Sequence, residues 1–169
     1  MQHVRRTPAE KRVVFNQSHG TNTAPGFDSY TLRSLYVIRW RTPTLPDVSH
    51  VERDVATFKA TRPKKTIFGL AIIGADTTPP DSETRTAMGK SMSLLLESLE
   101  TMHVVIEGQG FRHSILRSAM AGVILIGGKR GRVVIHRSVE EALPGLATEL
   151  ELPLPQLAGD LDRLRLHAS

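Results

Sequence analysis

Ile67 to Gly74 reads IFGLAIIG, eight residues with no polar or charged side chain. A strand with one wet face alternates apolar and polar residues. A strand without alternation is covered on both faces, as in a parallel sheet flanked by helices. This stretch therefore predicts an α/β architecture, and the segments around it agree. Upstream, YTLRSLYVIRW (Tyr30 to Trp40) is rich in β-branched and aromatic residues and reads as a tight hairpin or one bent strand. Next, Thr44 is placed to cap a helix, with Pro46 in its first turn and Asp47 three residues after the cap. Val48, Val51, Val55 and Phe58 follow at helical spacing, and Pro63 closes the segment. After the apolar strand the same device recurs: Thr78 as cap, Pro79 as first helical residue, Asp81 three after the cap. Met88, Met92, Leu95, Leu96 and Leu99 form the buried stripe.

MHVVIE (102–107) reads as a strand, 111–126 as a helix ended by Gly127 and Gly128, and RVVIH (132–136) as another strand. Ser138 caps a helix to about Thr148, with Glu140 and Glu141 in the turn that favours negative charge. Leu150, Leu154, Leu157, Leu161 and Leu164 recur at three or four. Pro153 and Pro155 confine the last helix to about 156–167, where its leucines are expected to pack on the domain. The predicted fold is a single mixed or parallel sheet with alternating helices and a short C-terminal helix. The predicted organisation is a flexible basic arm over 1–27, an α/β domain over 28–148 and an extension over 149–169.

The net charge of +5 suggests a nucleic-acid partner only until it is located. Residues 1–27 carry four basic side chains and one acid, and so hold +3 of the +5. The folded part is nearly balanced, which leaves weak, nonspecific attraction to phosphate from the arm and from GGKRGR (127–132). There is no cysteine, which excludes disulfides and thiolate chemistry and suits a cytoplasmic protein. No apolar run reaches the ~18 residues of a membrane span, and residues 1–20 have no apolar core of signal-peptide length.

Two stretches carry candidate sites. In EGQGFRHSILRSAM (107–120), a wheel that starts at Phe111 puts Phe111, Ile115, Leu116, Ala119, Met120, Val123 and Ile124 on one broad apolar arc. This predicts a deeply packed helix, with Arg112 near the middle of the arc. Two glycines, a helix start and basic side chains make Gly108, Gly110, Arg112, His113 and Arg117 a candidate anion site. The plainer reading is that Glu107 and Arg112 form a structural pair and the glycines only make the turn. Glu107 and His113 also form a candidate acid–base pair. No strand-to-helix serine elbow, dinucleotide fingerprint, phosphate-binding loop or close histidine pair is present, so no cofactor and no metal are expected. His103 and His136, both in strands, read as structural residues. The second stretch, ADTTPPDSETRTAM (75–88), holds hydroxyls at Thr77, Thr78, Ser82, Thr84 and Thr86. Of these Ser82, Thr78 and Thr84 are candidate phosphorylation switches, and the plainer reading is ordinary capping.

The order of elements, and the stretches YVIRW, TLPDVSHVERDVA, PPDSETRTAMGKSMSLLLESLE and HVVIEGQGFRHSILRSAMAGVILIGGKRGRVVIHRSVEEAL, resemble the STAS domains of anti-sigma-factor antagonists. The closest likeness is to small bacterial STAS/SEC14-type proteins, over about residues 28–148. The resemblance implies a non-enzymatic regulatory module that contacts a kinase, sensor or regulator, switched by phosphorylation at the place of Ser82. Where such loops read Asp-Ser-Ser/Thr-Gly, this chain reads Asp81-Ser82-Glu83-Thr84. The other reading is a binder of a small anionic ligand or lipid in the 108–117 crevice. A homodimer is compatible with both.

Overall fold

The computed structural model describes residues 26–118 and 131–164 in full, and 119–126 and 165–166 as helix backbone. Of the arm expected over 1–27, residues 1–25 lie outside the described residues, as do the basic loop residues 127–130. The elements run β1 (Phe27–Leu32), β2 (Leu35–Trp40), α1 (Leu45–Ala60), β3 (Phe68–Ile73), α2 (Ser82–Ser98) and β4 (Met102–Ile106). They continue through α3 (Phe111–Ile126), β5 (Val133–His136), α4 (Val139–Glu149) and α5 (Leu154–Leu166). This is an α/β fold with one five-stranded mixed sheet. β1 and β2 form an antiparallel hairpin that turns at Arg33, where φ is 55°, and the other pairings are parallel. Phe27, the last residue of the expected arm, is the fully buried first residue of β1.

The strand order β1-β2-β3-β4-β5 explains the layers. Each right-handed crossover advances in the same direction, so α1, α2 and α3 all fall on one face. The opposite face is left for the chain after β5, and α4 and α5 cover it. Two cores result. One joins Ile38, Trp40, Val51, Val55, Leu95 and Val104 under the crossover helices. The other joins Val37, Leu70, Ile72, Leu146, Leu157 and Leu161 under α4 and α5. The C-terminal leucines thus belong to the domain, as their spacing suggested, and the extension past residue 148 shares its core.

Most predicted caps are in place. Thr44 caps α1 and Asp47 answers it, with its buried carboxylate accepting from the Thr44 N–H at 2.9 Å. Ser138 caps α4. The start of α2 is corrected. Asp81, not Thr78, is the N-cap, and its carboxylate accepts from the Thr84 N–H at 2.7 Å. Pro80 is the reason. A residue before proline is driven out of the helical region, so Pro79 cannot open the helix.

At the other end of α2, Arg132 donates to the carbonyls of Leu96 and Leu99, both at 2.7 Å, and of Glu100 at 2.9 Å. A side chain just before β5 thereby satisfies helix-end acceptors that have no intrahelical donor. Arg132→Ala is expected to destabilise the fold by about 1–2 kcal/mol in urea titration.

Candidate functional site

The sheet face under α1–α3 carries an apolar cavity of about 330 Å³, the size range of small-molecule sites. Its cause lies in β3. Phe68, Leu70 and Ile72 point to the α4/α5 side, while Gly69 and Ala71 point to the crossover helices. Across the sheet, Ile38, Ala71 and Val104 are register partners, so Ala71 is a dip in a row of larger side chains. The neighbouring dip at Gly69 is filled, because a Cβ there would lie 2.6 Å from the Met102 sulfur and 2.9 Å from Leu99 Cδ1. Ala71, unlike Gly69, lines the cavity. Trp40 and Val104 help form the floor, and Val51 and Val55 of α1, Met88 and Met92 of α2 and Leu116 of α3 form the walls.

α1 packs along α2, whereas α3 meets the sheet mainly at β4 and β5. The expectation of a deeply packed α3 is corrected at its first turns, where Phe111 is 84% exposed and Ile115 51%. Leu116 packs against the core, and the arc's remaining side chains, from Ala119 on, lie outside the described residues. The exposed lining residues Pro79, Arg85, Arg112 and Ile115 mark the mouth.

The basic side chains at the start of α3 satisfy carbonyls. Arg112 places Nη2 3.4 Å from the Thr77 oxygen, and Arg117 donates to Ile106 and Gly108 at 3.1 and 3.3 Å. His113 sets Nδ1 2.9 Å from the Gln109 oxygen and Nε2 3.2 Å from the Ala75 oxygen. Gly108 has φ +104°, and a Cβ there would meet the His113 ring at 2.6 Å, so this glycine serves both the turn and the close approach. Arg112 forms no ion pair with Glu107. Both His113 nitrogens face backbone acceptors, so Glu107 and His113 present no free acid–base couple. Of the five residues of the predicted anion crevice, Arg112 and His113 line the cavity. Gly108, Gly110 and Arg117 shape the turn behind it.

At the mouth, Arg112 is joined by Arg85, whose Nη2 lies 3.4 Å from the Pro80 oxygen. Both guanidiniums rest on carbonyls of the 77–80 segment, at distances that mark weak bonds. Neither is in an ion pair within 4 Å among the described residues, although the charge of Arg85 helps to hold the Asp81 carboxyl down. Of the candidate switch residues, Ser82 is exposed in the first turn of α2 and Thr78 is exposed in the preceding loop, while Thr84 is buried. Asp81 is held below the usual carboxylate range, chiefly by the Thr84 backbone N–H.

On the opposite face, buried His103 links half-buried His136 and Glu149 in a hydrogen-bonded chain. His103 Nδ1 is 2.8 Å from His136 Nε2, and His103 Nε2 is 3.2 Å from Glu149. Thr101 donates to the same carboxylate at 2.8 Å. The two imidazoles are parallel within 3° with centroids 5.0 Å apart. Given the short nitrogen–nitrogen contact, they lie edge to edge in one plane, which is a hydrogen-bond geometry and not a stack. Both histidines are hydrogen-bonded, and their mutual contact was not foreseen. Burial lowers the pKa of His136, and the neighbouring His103 lowers it further; Glu141 partly opposes both. Among the described residues, no group of three or more His, Cys, Asp or Glu side chains is arranged to hold a metal ion, and no helix is long and apolar enough to cross a membrane.

No protein-family model and no curated protein matches this chain.

Proposed function

We propose that this chain is a non-catalytic binding module for a small amphipathic molecule with an apolar body and an anionic head. The observation that carries this reading is the cavity of about 330 Å³. Its wall is almost wholly apolar, and its mouth holds two guanidiniums, Arg85 and Arg112, that are in no close ion pair among the described residues. The apolar body gains by leaving water, and a carboxylate or phosphate head gains charge-assisted bonds from Arg85 and Arg112. At about 30 Å³ per methylene-sized group, the volume suits a chain of roughly ten to twelve carbons.

Trp40, the only tryptophan, lies in the cavity floor and reports on occupancy. Titration with dodecanoate is expected to shift its emission saturably. Replacing Arg85 and Arg112 together by alanine weakens dodecanoate by about ten-fold and leaves dodecanol nearly unchanged. A Trp40 signal indifferent to both ligands removes the proposal.

A regulatory role through protein contact, of the kind the STAS resemblance implies, is the second reading. One observation favours it: Ser82 is exposed one turn before Arg85 at the cavity mouth. A phosphate on Ser82 would compete with the ligand head for Arg85. On this reading, Ser82→Asp weakens dodecanoate binding and changes capture of a kinase, sensor or regulator from nuclease-treated lysate.

A further inference from the structure

The polar side chains around the cavity are committed elsewhere, with one exception. Tyr36 sets its hydroxyl 3.4 Å from Asp54, and Thr77 donates to the Trp40 carbonyl at 3.0 Å. Arg85, Arg112 and His113 rest on backbone carbonyls, as described above. Ser91 of α2 lines the same wall and is only 4% exposed, and its hydroxyl makes no hydrogen bond among the described residues. A serine inside a helix ordinarily has the preceding turn's carbonyl to bond. In this protein Thr57 and Thr86 do so, donating to Arg53 and Ser82 at 2.9 Å each. Ser91 does not. The Ser91 oxygen is not among the fully enclosed, unpartnered ones, so it opens to the cavity it lines; water can bond it there, and a ligand that displaces that water without replacing the bond loses affinity.

We infer that Ser91 is a specificity residue that reads an oxygen in the middle of the ligand's apolar chain. The inference rests on the binding reading above. Ser91 is six residues beyond Arg85 along α2, a rise of about 9 Å. A ligand with its anionic head at Arg85 and Arg112 therefore passes Ser91 part-way down its body. The ligand class is an oxygenated medium-chain acid, a hydroxy or keto acid whose internal oxygen meets the Ser91 hydroxyl. An unsubstituted chain leaves that hydroxyl unpaired against methylene groups, and a site built to hydrogen-bond an oxygen discriminates against the analogue that lacks it.

The test uses the full chain and the Trp40 signal, with dodecanoic acid and a dodecanoic acid that carries a mid-chain hydroxyl as the two probes. The wild-type protein is expected to prefer the hydroxylated probe by about ten-fold. Ser91→Ala, which suits a helix interior, is expected to abolish that preference by binding dodecanoate more tightly and the hydroxylated probe more weakly. A thermal melt of the variant confirms that it is folded. If the wild type binds both probes equally, or if Ser91→Ala keeps the preference, the inference is overturned and the binding reading stands. If neither probe binds the wild type, the binding reading fails and takes this inference with it.

Discussion

Ala71→Leu is expected to yield a protein that melts at a higher temperature and no longer binds dodecanoate. The two effects have one cause. Ala71 lies in the middle of the cavity floor, between Ile38 and Val104 on the neighbouring strands. A leucine there is expected to extend its added carbons into the cavity that Ala71 lines. Filling such space commonly adds about 0.5–2 kcal/mol of stability, or a few degrees of melting temperature for a chain of this size. The same carbons occupy the site of the ligand's body, so affinity is expected to fall by about a hundred-fold or more. Differential scanning calorimetry and the Trp40 titration read the two effects separately. A destabilised variant would mean that the space above Ala71 is already packed, since forcing methylenes into a full core costs stability. A stabilised variant with undiminished binding would place the ligand elsewhere.

On the opposite face, His103→Leu is expected to destabilise the fold by about 2–4 kcal/mol in urea titration. His103 is 3% exposed and holds both His136 and Glu149. A leucine of similar bulk keeps the packing but leaves the Glu149 carboxylate with only Thr101 and removes the partner of His136. The chain also joins the two ends of α4 to the sheet, because His136 precedes its cap and Glu149 is its last residue. The helix lies close, and a Cβ on Gly145 would be 3.0 Å from the His103 ring.

The same chain sets a pH dependence. The pKa of His136 is lower in the folded protein than the ordinary histidine value of about 6.5. Below that value the unfolded chain takes up a proton that the folded chain still excludes. The His136 contribution is therefore complete above about pH 6.5 and is lost as pH falls below it. Urea midpoints measured across this range are expected to fall toward acid in the wild type and to fall less in His136→Asn. A wild-type midpoint that rises on acidification would reverse the assignment.

Local signals were enough for the backbone of this fold. The unbroken apolar run at β3, the helical spacing after Thr44, and the Ser138 cap each depend on neighbours within one or two turns. All three appear as read. Where a local signal was weighed wrongly, at Thr78, the information was still local, since Pro79-Pro80 rules out a helix start before Asp81. The site was less legible. The Gly69 and Ala71 alternation inside IFGLAIIG was a visible sign of a thin place on one face of the sheet. Without knowing which neighbours flank it, however, a small residue reads equally as close packing, which is what Gly69 proved to be. His103 and His136 are 33 residues apart and carry no spacing that announces a pair.

By itself, then, the sequence determined the α/β class, the element order and most caps, because these follow from periodicity, proline and short-range hydrogen bonding. Only the tertiary structure decided that Phe111 and Ile115 stay exposed at the start of α3, that Ala71 lines a cavity while Gly69 does not, and that Arg112 turns to Thr77 instead of Glu107. Those outcomes depend on the distances between elements far apart in the chain. Such distances are set by how whole side-chain layers fill the space between a sheet and its helices, and no local pattern encodes that sum.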